Sequence, residues 1–170
     1  MSLLGAFLSE FVAREDCIRR DNFVGHITVG SVVLHPDGDR FLTLDHLTLG
    51  RRLPPGGHID AGDADTLAAI EREICEETGI SRSDIVLINQ DQDPLLPFDI
   101  DTHPIPASVK KNEPAHHHHD FRYAFRYIGV DRFPAESPEG RSRVDWTSIE
   151  ATGDEPHGRF MLDKLRSLSM

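Results

Sequence analysis

Cysteine is scarce in this 170-residue chain, with only Cys17 and Cys75 present. Two cysteines build no disulfide framework, which excludes a small cross-linked secreted scaffold and suits a reducing, cytoplasmic compartment. Long hydrophobic runs are also missing. Leu3, Leu4, Phe7, Leu8, Phe11 and Val12 gather near the start, but Ser9-Glu10 interrupts them and no basic region precedes them. That pattern argues against a signal peptide or a membrane span. Positive charge is in deficit: 18 Lys and Arg against 29 Asp and Glu leave a net charge of −11. A nucleic-acid groove needs a basic patch or stripe, so none is expected. No internal repeat or interdomain linker divides the sequence. One α/β domain over 1–170 is the expectation, long enough for a sizeable core.

Within that domain, Leu4, Phe7, Leu8 and Phe11 have the spacing of an amphipathic helix, about residues 2–20 with its flank. It is expected to lie on the rest of the domain or on a second subunit, the latter giving a homodimer. Val24 to His35 reads as a strand, Pro36-Asp37-Gly38-Asp39 as a turn, and Arg40 to Asp45 as a partner strand. Arg51-Arg52-Leu53 is a short extended piece leading to Pro54-Pro55-Gly56-Gly57. A helix then carries Leu67, Ile70 and Ile74 on one face, with Asp65 as its N-cap and Gly79 just past its end. Asp84 to Asn89 reads as the next strand, and proline-punctuated 91–114 as less regular chain. Phe121 to Val130, starting within the preceding histidines, reads as a good strand, Val144 to Trp146 as a last short one. A closing helix holds Phe160, Met161, Leu162, Leu165 and Leu168.

The central helix is the chemically informative one. Its last two turns hold Glu73, Glu76 and Glu77, and residues three and four apart share a helix face. Like charges at that spacing cost roughly 0.2–0.5 kcal/mol per pair. Anions at the negative end of the helix dipole are disfavoured by a further ~0.3–1 kcal/mol each. Arg72 is the cation within reach. Local stability does not explain the arrangement, whereas a hard divalent cation such as Mg²⁺ or Mn²⁺ on clustered carboxylate oxygens does.

Gly56-Gly57, the Arg72-Glu73-x-x-Glu76-Glu77 spacing and Gly79-Ile80 together resemble the Nudix box, G-x5-E-x7-R-E-U-x-E-E-x-G-U with U aliphatic. From Arg72 to Ile80 every defined position matches. The front departs: counting from Gly57, Asp63 stands where the first box glutamate belongs, and eight residues rather than seven separate it from Arg72. Asp63 and Asp65 both qualify as the replacement. The resemblance implies a Nudix-like α/β/α sandwich with a mixed sheet. It also implies metal-dependent hydrolysis of a pyrophosphate bond in a nucleoside diphosphate linked to another group, or in a similar small-molecule diphosphate. Its metal ligands would be Gly56 through its carbonyl, Glu73, Glu76 and Glu77, with Arg72 orienting the carboxylates. Glu73 and Glu76 are both candidates for the general base, and a downstream residue could serve instead.

The run Ala115-His116-His117-His118-His119-Asp120-Phe121-Arg122-Tyr123 is the second informative stretch. In extended chain, neighbours alternate between faces. His116, His118, Asp120 and Arg122 would share a polar face; His117, His119, Phe121 and Tyr123 would share the packed one. The polar face suits phosphate binding by His116, His118 and Arg122 and a further metal carboxylate from Asp120, or is simply a solvated edge. A separate zinc site made by His116 and His118 lacks a Cys pair to complete a tetrahedral set. Asp99, Asp101 and His103 alternate in the same way, in a substrate-recognition strand or, as slightly favoured, a polar loop. His58, beside the glycine pair, could touch phosphate, although a lone histidine there is more often incidental.

Two other functions share the fold that the resemblance implies. An isopentenyl-diphosphate-isomerase-like enzyme needs a Cys and a Glu for allylic protonation, and no convincing catalytic Cys is present. A non-catalytic Nudix-like ligand-binding module would be expected to have lost box carboxylates, and all three are intact.

Overall fold

The computed structural model describes residues 2–11, 14–46, 51–88, 93–130, 142–150 and 164–165. Two short helices open the chain, α1 (Leu3–Glu10) and α2 (Arg14–Ile18). Ser2 caps α1 by accepting from the Gly5 amide. Phe7 is buried, with Leu4 and Phe11 partly buried against the core, while Leu8 is 43% exposed. The apolar face is therefore narrower than its spacing predicts: Phe7 is the anchor that reaches the domain, and Leu8 falls outside the stripe.

Strand β1 (His26–Leu34) is buried along its whole length and organises the sheet. Its β-branched residues Ile27, Thr28, Val29, Val32 and Val33 suit a pleated, doubly covered position. On one side it pairs in parallel with β7 (His116–Tyr127), from His26↔His118 to Leu34↔Arg126. Its other side is shared. Near its start it pairs with β4 (Gly56–His58), and at its end with β2 (Arg40–His46), both antiparallel. Strand β2 also pairs with β3 (Arg51–Leu53) and β8 (Ser142–Ser148). Beyond β7 lie β5 (Ile85–Leu87) and β6 (Asp99–Ile105), both antiparallel to it. The eight strands of the described residues make one mixed sheet.

Helix α3 (Thr66–Thr78) lies where the sequence predicts it. The Asp65 carboxylate caps it by accepting from the Ala68 amide, and Gly79 ends it in the left-handed region at φ 72°. A side chain is disfavoured in that conformation, so glycine is the natural stop. Ile70 and Ile74 are fully buried in the core with Val29, Tyr123 and Phe125. The Tyr123 hydroxyl ties the start of α3 to the sheet, bonding Thr66 Oγ1 and donating to the Leu95 carbonyl.

The segment 99–105, for which the sequence slightly favours a loop, is strand β6. Prolines 97 and 104 suggested irregular chain. However, among the described residues β6 pairs only with β7, and an edge strand accommodates a missing amide donor on its outward side. The expected closing helix falls largely outside the described residues, of which Lys164 and Leu165 are helical. Among the described residues no helix is long and apolar enough to cross a membrane.

Candidate functional site

Two short pieces of backbone, β4 and the last turns of α3, bring the box residues together. A Cβ built on Gly57 would fall 2.5 Å from Glu73 Oε1, so glycine lets the strand approach this carboxylate without displacing it. A Cβ on Gly56 would meet the Val29 carbonyl oxygen at 2.5 Å. The Gly56 amide donates to Glu77 Oε2 at 3.0 Å, which fixes the third glutamate against the glycine whose carbonyl the resemblance makes a ligand.

Arg72 is the hub. Its Nε and Nη2 donate to the two oxygens of Asp63 at 3.0 and 2.9 Å. Nη1 donates to Glu73 at 3.1 Å and Glu76 at 3.0 Å, and Nη2 also reaches the His58 carbonyl at 2.9 Å. The planar fork suits this bidentate grip. Asp63 is thus the partner of Arg72, while Asp65 caps the helix. The residue inserted between Asp63 and Arg72 is absorbed in the loop ahead of α3, where Asp63 also accepts from the Asp60 amide at 2.8 Å. Carboxylate bonds drive the Arg72 pKa well above its ordinary value. Burial pushes the Glu73 carboxyl up, and Arg72 only partly opposes it. Glu76 is the exposed member, with 53% of its side chain accessible.

The alternate residues of β7 divide as the sequence predicts. Tyr123 and His119 enter the packed face, where the His119 ring lies 4.7 Å from that of Phe7 and its Nδ1 bonds Thr102 Oγ1. On the other face, Asp120 accepts from Thr28 Oγ1 at 3.1 Å and from Arg122 Nε at 3.0 Å. Arg122 is held by three carboxylates: Asp120, Asp101 at 2.9 Å and Asp99 at 3.6 Å. His103 bonds Asp101, so the alternating residues of β6 form a network with β7 rather than projecting from a loop.

Histidines gather at the end of this face. His26 and His118 are register partners across β1 and β7, and His58 lies opposite Thr28 on β4. Ring centroids are 4.6 Å apart for His26 and His118, 5.2 Å for His26 and His58, and 5.4 Å for His58 and His118. Burial is the main cause that lowers the His58 pKa to about 4 and that of His118 to about 3, and the basic side chains around each oppose its protonation further. The imidazoles are therefore neutral at physiological pH. His26 is the member that the sequence reading missed, hidden in a Val- and Ile-rich strand. The available signal was that His26, Thr28 and Gly30 alternate with Ile27 and Val29.

The NUDIX domain model matches residues 25–165. Among solved structures, the chain is similar to an Ap4A hydrolase of C. elegans in a binary complex, at 20% identity and TM-score 0.57, covering 84% of this chain and 94% of that one. It is similar to a NUDIX-family hydrolase from Clostridium perfringens at 22% identity and TM-score 0.55, covering 84% and 97%. It is also similar to the E. coli dihydroneopterin triphosphate pyrophosphohydrolase at 13% identity and TM-score 0.58, covering 81% and 92%. No curated protein matches the sequence. At such identities the structures establish a shared fold. The domain match spans most of the chain and includes the box built around Arg72, so the chain belongs to the Nudix family.

Proposed function

We propose that this enzyme hydrolyses a pyrophosphate bond in a nucleoside diphosphate linked to another group, or in a similar small diphosphate, with Mg²⁺ or Mn²⁺ as cofactor. The observation that carries this reading is the convergence of Glu73, Glu76 and Glu77 with Gly56 and Arg72. The donor set is all oxygen, which fits a hard cation. Gly56 through its carbonyl, Glu73, Glu76 and Glu77 would hold it. When bound, such an ion offsets charge on phosphoryl oxygens and lowers the pKa of a coordinated water.

The chain's own residues do the remaining work. Arg72 holds Glu73 and Glu76 in fixed orientation and is itself fixed by Asp63. Glu73, held by Arg72 beside the glycine pair, is one candidate to accept the proton from the attacking water. Glu76 is the other candidate. Asp120 and Arg122 are engaged with each other and with β6, so a structural role fits them better than metal or phosphate contact. An isomerase has less support. Cys17 is buried and donates to the Phe11 carbonyl, Cys75 is exposed, and neither bonds a box carboxylate.

A phosphate-release screen across nucleotide sugars, dinucleoside polyphosphates, ADP-ribose and diphosphoinositol phosphates, with Mg²⁺ or Mn²⁺, tests the proposal. At least one substrate should turn over. Glu76→Gln and Glu77→Gln should each slow it by ~10²-fold or more, a loss of several kcal/mol of transition-state stabilisation. Undiminished turnover in both variants at saturating Mg²⁺ would sink the assignment.

A further inference from the structure

We propose that His26, His58 and His118 form a binding site for Zn²⁺, separate from the box carboxylates. One ligand atom from each of the three lies within 4.8 Å of the others. They come from three adjacent strands and share one sheet face, so the site is built on rigid backbone. Three imidazoles with an open fourth position are a recurrent zinc arrangement. The soft-to-borderline nitrogen donors favour Zn²⁺ over the hard ions that suit Glu73, Glu76 and Glu77.

The second observation is an unpartnered atom. His26 is 1% exposed, and its Nε2 is the buried side-chain polar atom without a hydrogen-bond partner among the described residues. Its Nδ1 faces the Asn22 carbonyl at 3.4 Å. A carbonyl can only accept, so the proton belongs on Nδ1 and Nε2 carries a bare lone pair. A buried lone pair left this way is costly, and a metal bond would satisfy it.

The tautomers of its neighbours follow from the same logic. His116 Nδ1 lies 2.9 Å from the Pro114 carbonyl and must donate to it. His116 Nε2 is then an acceptor, and it lies 3.3 Å from His118 Nε2. His118 therefore donates from Nε2 and keeps its lone pair on Nδ1. Ligating histidines commonly spend the second ring N–H on a carbonyl or another acceptor, and His26 and His118 both do so here. His116 thus orients His118. The apparent shortage of ligands around the histidine run disappears because His26 and His58 are remote in sequence and close in the fold.

Phosphate is the competing occupant of a histidine cluster. It would need protonated imidazoles or several free cationic side chains, whereas these rings are packed against one another, Arg122 is bound by three carboxylates and Arg20, near His58, is paired with Asp60, which leaves Lys111 as the cation able to reach an anion there.

The test uses the full untagged chain, stripped with chelator and carrying Glu73→Gln, Glu76→Gln and Glu77→Gln to remove box binding. Titration against a chromogenic chelator should show one equivalent of Zn²⁺. Adding His58→Gln or His118→Gln should weaken it by at least ~100-fold. Loss of the box carboxylates leaves this binding intact if the proposal holds, so its fate is distinguishable from that of the hydrolase reading. Co²⁺ bound to the box-deficient chain with all its histidines should give the intense visible bands of a low-coordinate nitrogen site, a readout that needs no histidine variant to fold. The proposal fails if Zn²⁺ binding is absent, if it is unchanged in both histidine variants, if Co²⁺ gives only the pale spectrum of six oxygen ligands, or if inorganic phosphate saturates the cluster in place of Zn²⁺.

Discussion

At the scale of single residues, Asp63 and Asp65 separate two kinds of effect that the sequence left entangled. Asp63 clamps Arg72 through both carboxylate oxygens, and Asp65 caps α3. Asp63→Asn replaces one acceptor oxygen by an amide donor facing a guanidinium. It should reduce kcat by ~10-fold or more, because Glu73 and Glu76 lose the orientation Arg72 gives them. Asp65→Ala should instead cost about 0.5–2 kcal/mol of stability and leave kcat nearly unchanged at a temperature where the protein is folded. Steady-state kinetics with thermal melts on both variants checks the pair; the reverse pattern would reassign the two aspartates. Gly57 makes a steric version of the same argument. Gly57→Ala places a methyl 2.5 Å from Glu73 Oε1, so activity should drop sharply while α3, held by Ile70 and Ile74, remains folded.

At the scale of elements, legibility followed periodicity. Helix α3 announced itself by its Asp65 cap, Gly79 stop and apolar spacing, and β1 and β7 by β-branched and alternating runs. Strand β6 was obscured because prolines are read as loop unless the strand is known to lie at an edge. Edge position is a property of the whole sheet. The site was legible to the same extent: contiguous box residues could be read in order, whereas His26 needed the β1–β7 and β1–β4 pairings to meet its partners. The β6–β7 network also changes the outlook for Arg122. Replacing it with Met would leave Asp99, Asp101 and Asp120 close together with no cation between them, although Lys164 still reaches Asp99 at 3.2 Å. Arg122→Met should therefore destabilise the fold by on the order of 2 kcal/mol, since these groups are largely but not fully buried. Amide exchange should speed up first along β6. A raised KM with an unchanged melting temperature would restore Arg122 to phosphate binding.

At the scale of the whole molecule, the buried imidazoles make stability depend on pH in a direction that can be worked out. Burial lowers the pKa values of His26, His58, His118 and His119 in the folded chain, with His58 at about 4 and His118 at about 3. In the unfolded chain they return to the ordinary value near 6.5. Between those limits the unfolded state binds more protons, so stability rises with pH there. The contribution is fully present above about pH 6.5 and is lost progressively as the pH falls towards the folded values. Glu73 acts with the opposite sign: its raised pKa means the folded state takes up a proton more readily, which favours the fold as its carboxyl protonates. Four lowered imidazoles set against one raised carboxyl leave a net histidine effect between about pH 6.5 and 5. Metal-free protein should show a falling melting temperature across that window. The slope should be shallower in His58→Gln and His118→Gln, each of which removes one titrating group. A flat profile in the parent chain, or an unaltered slope in both variants, would mean that these imidazoles are hydrated and charged in the folded molecule.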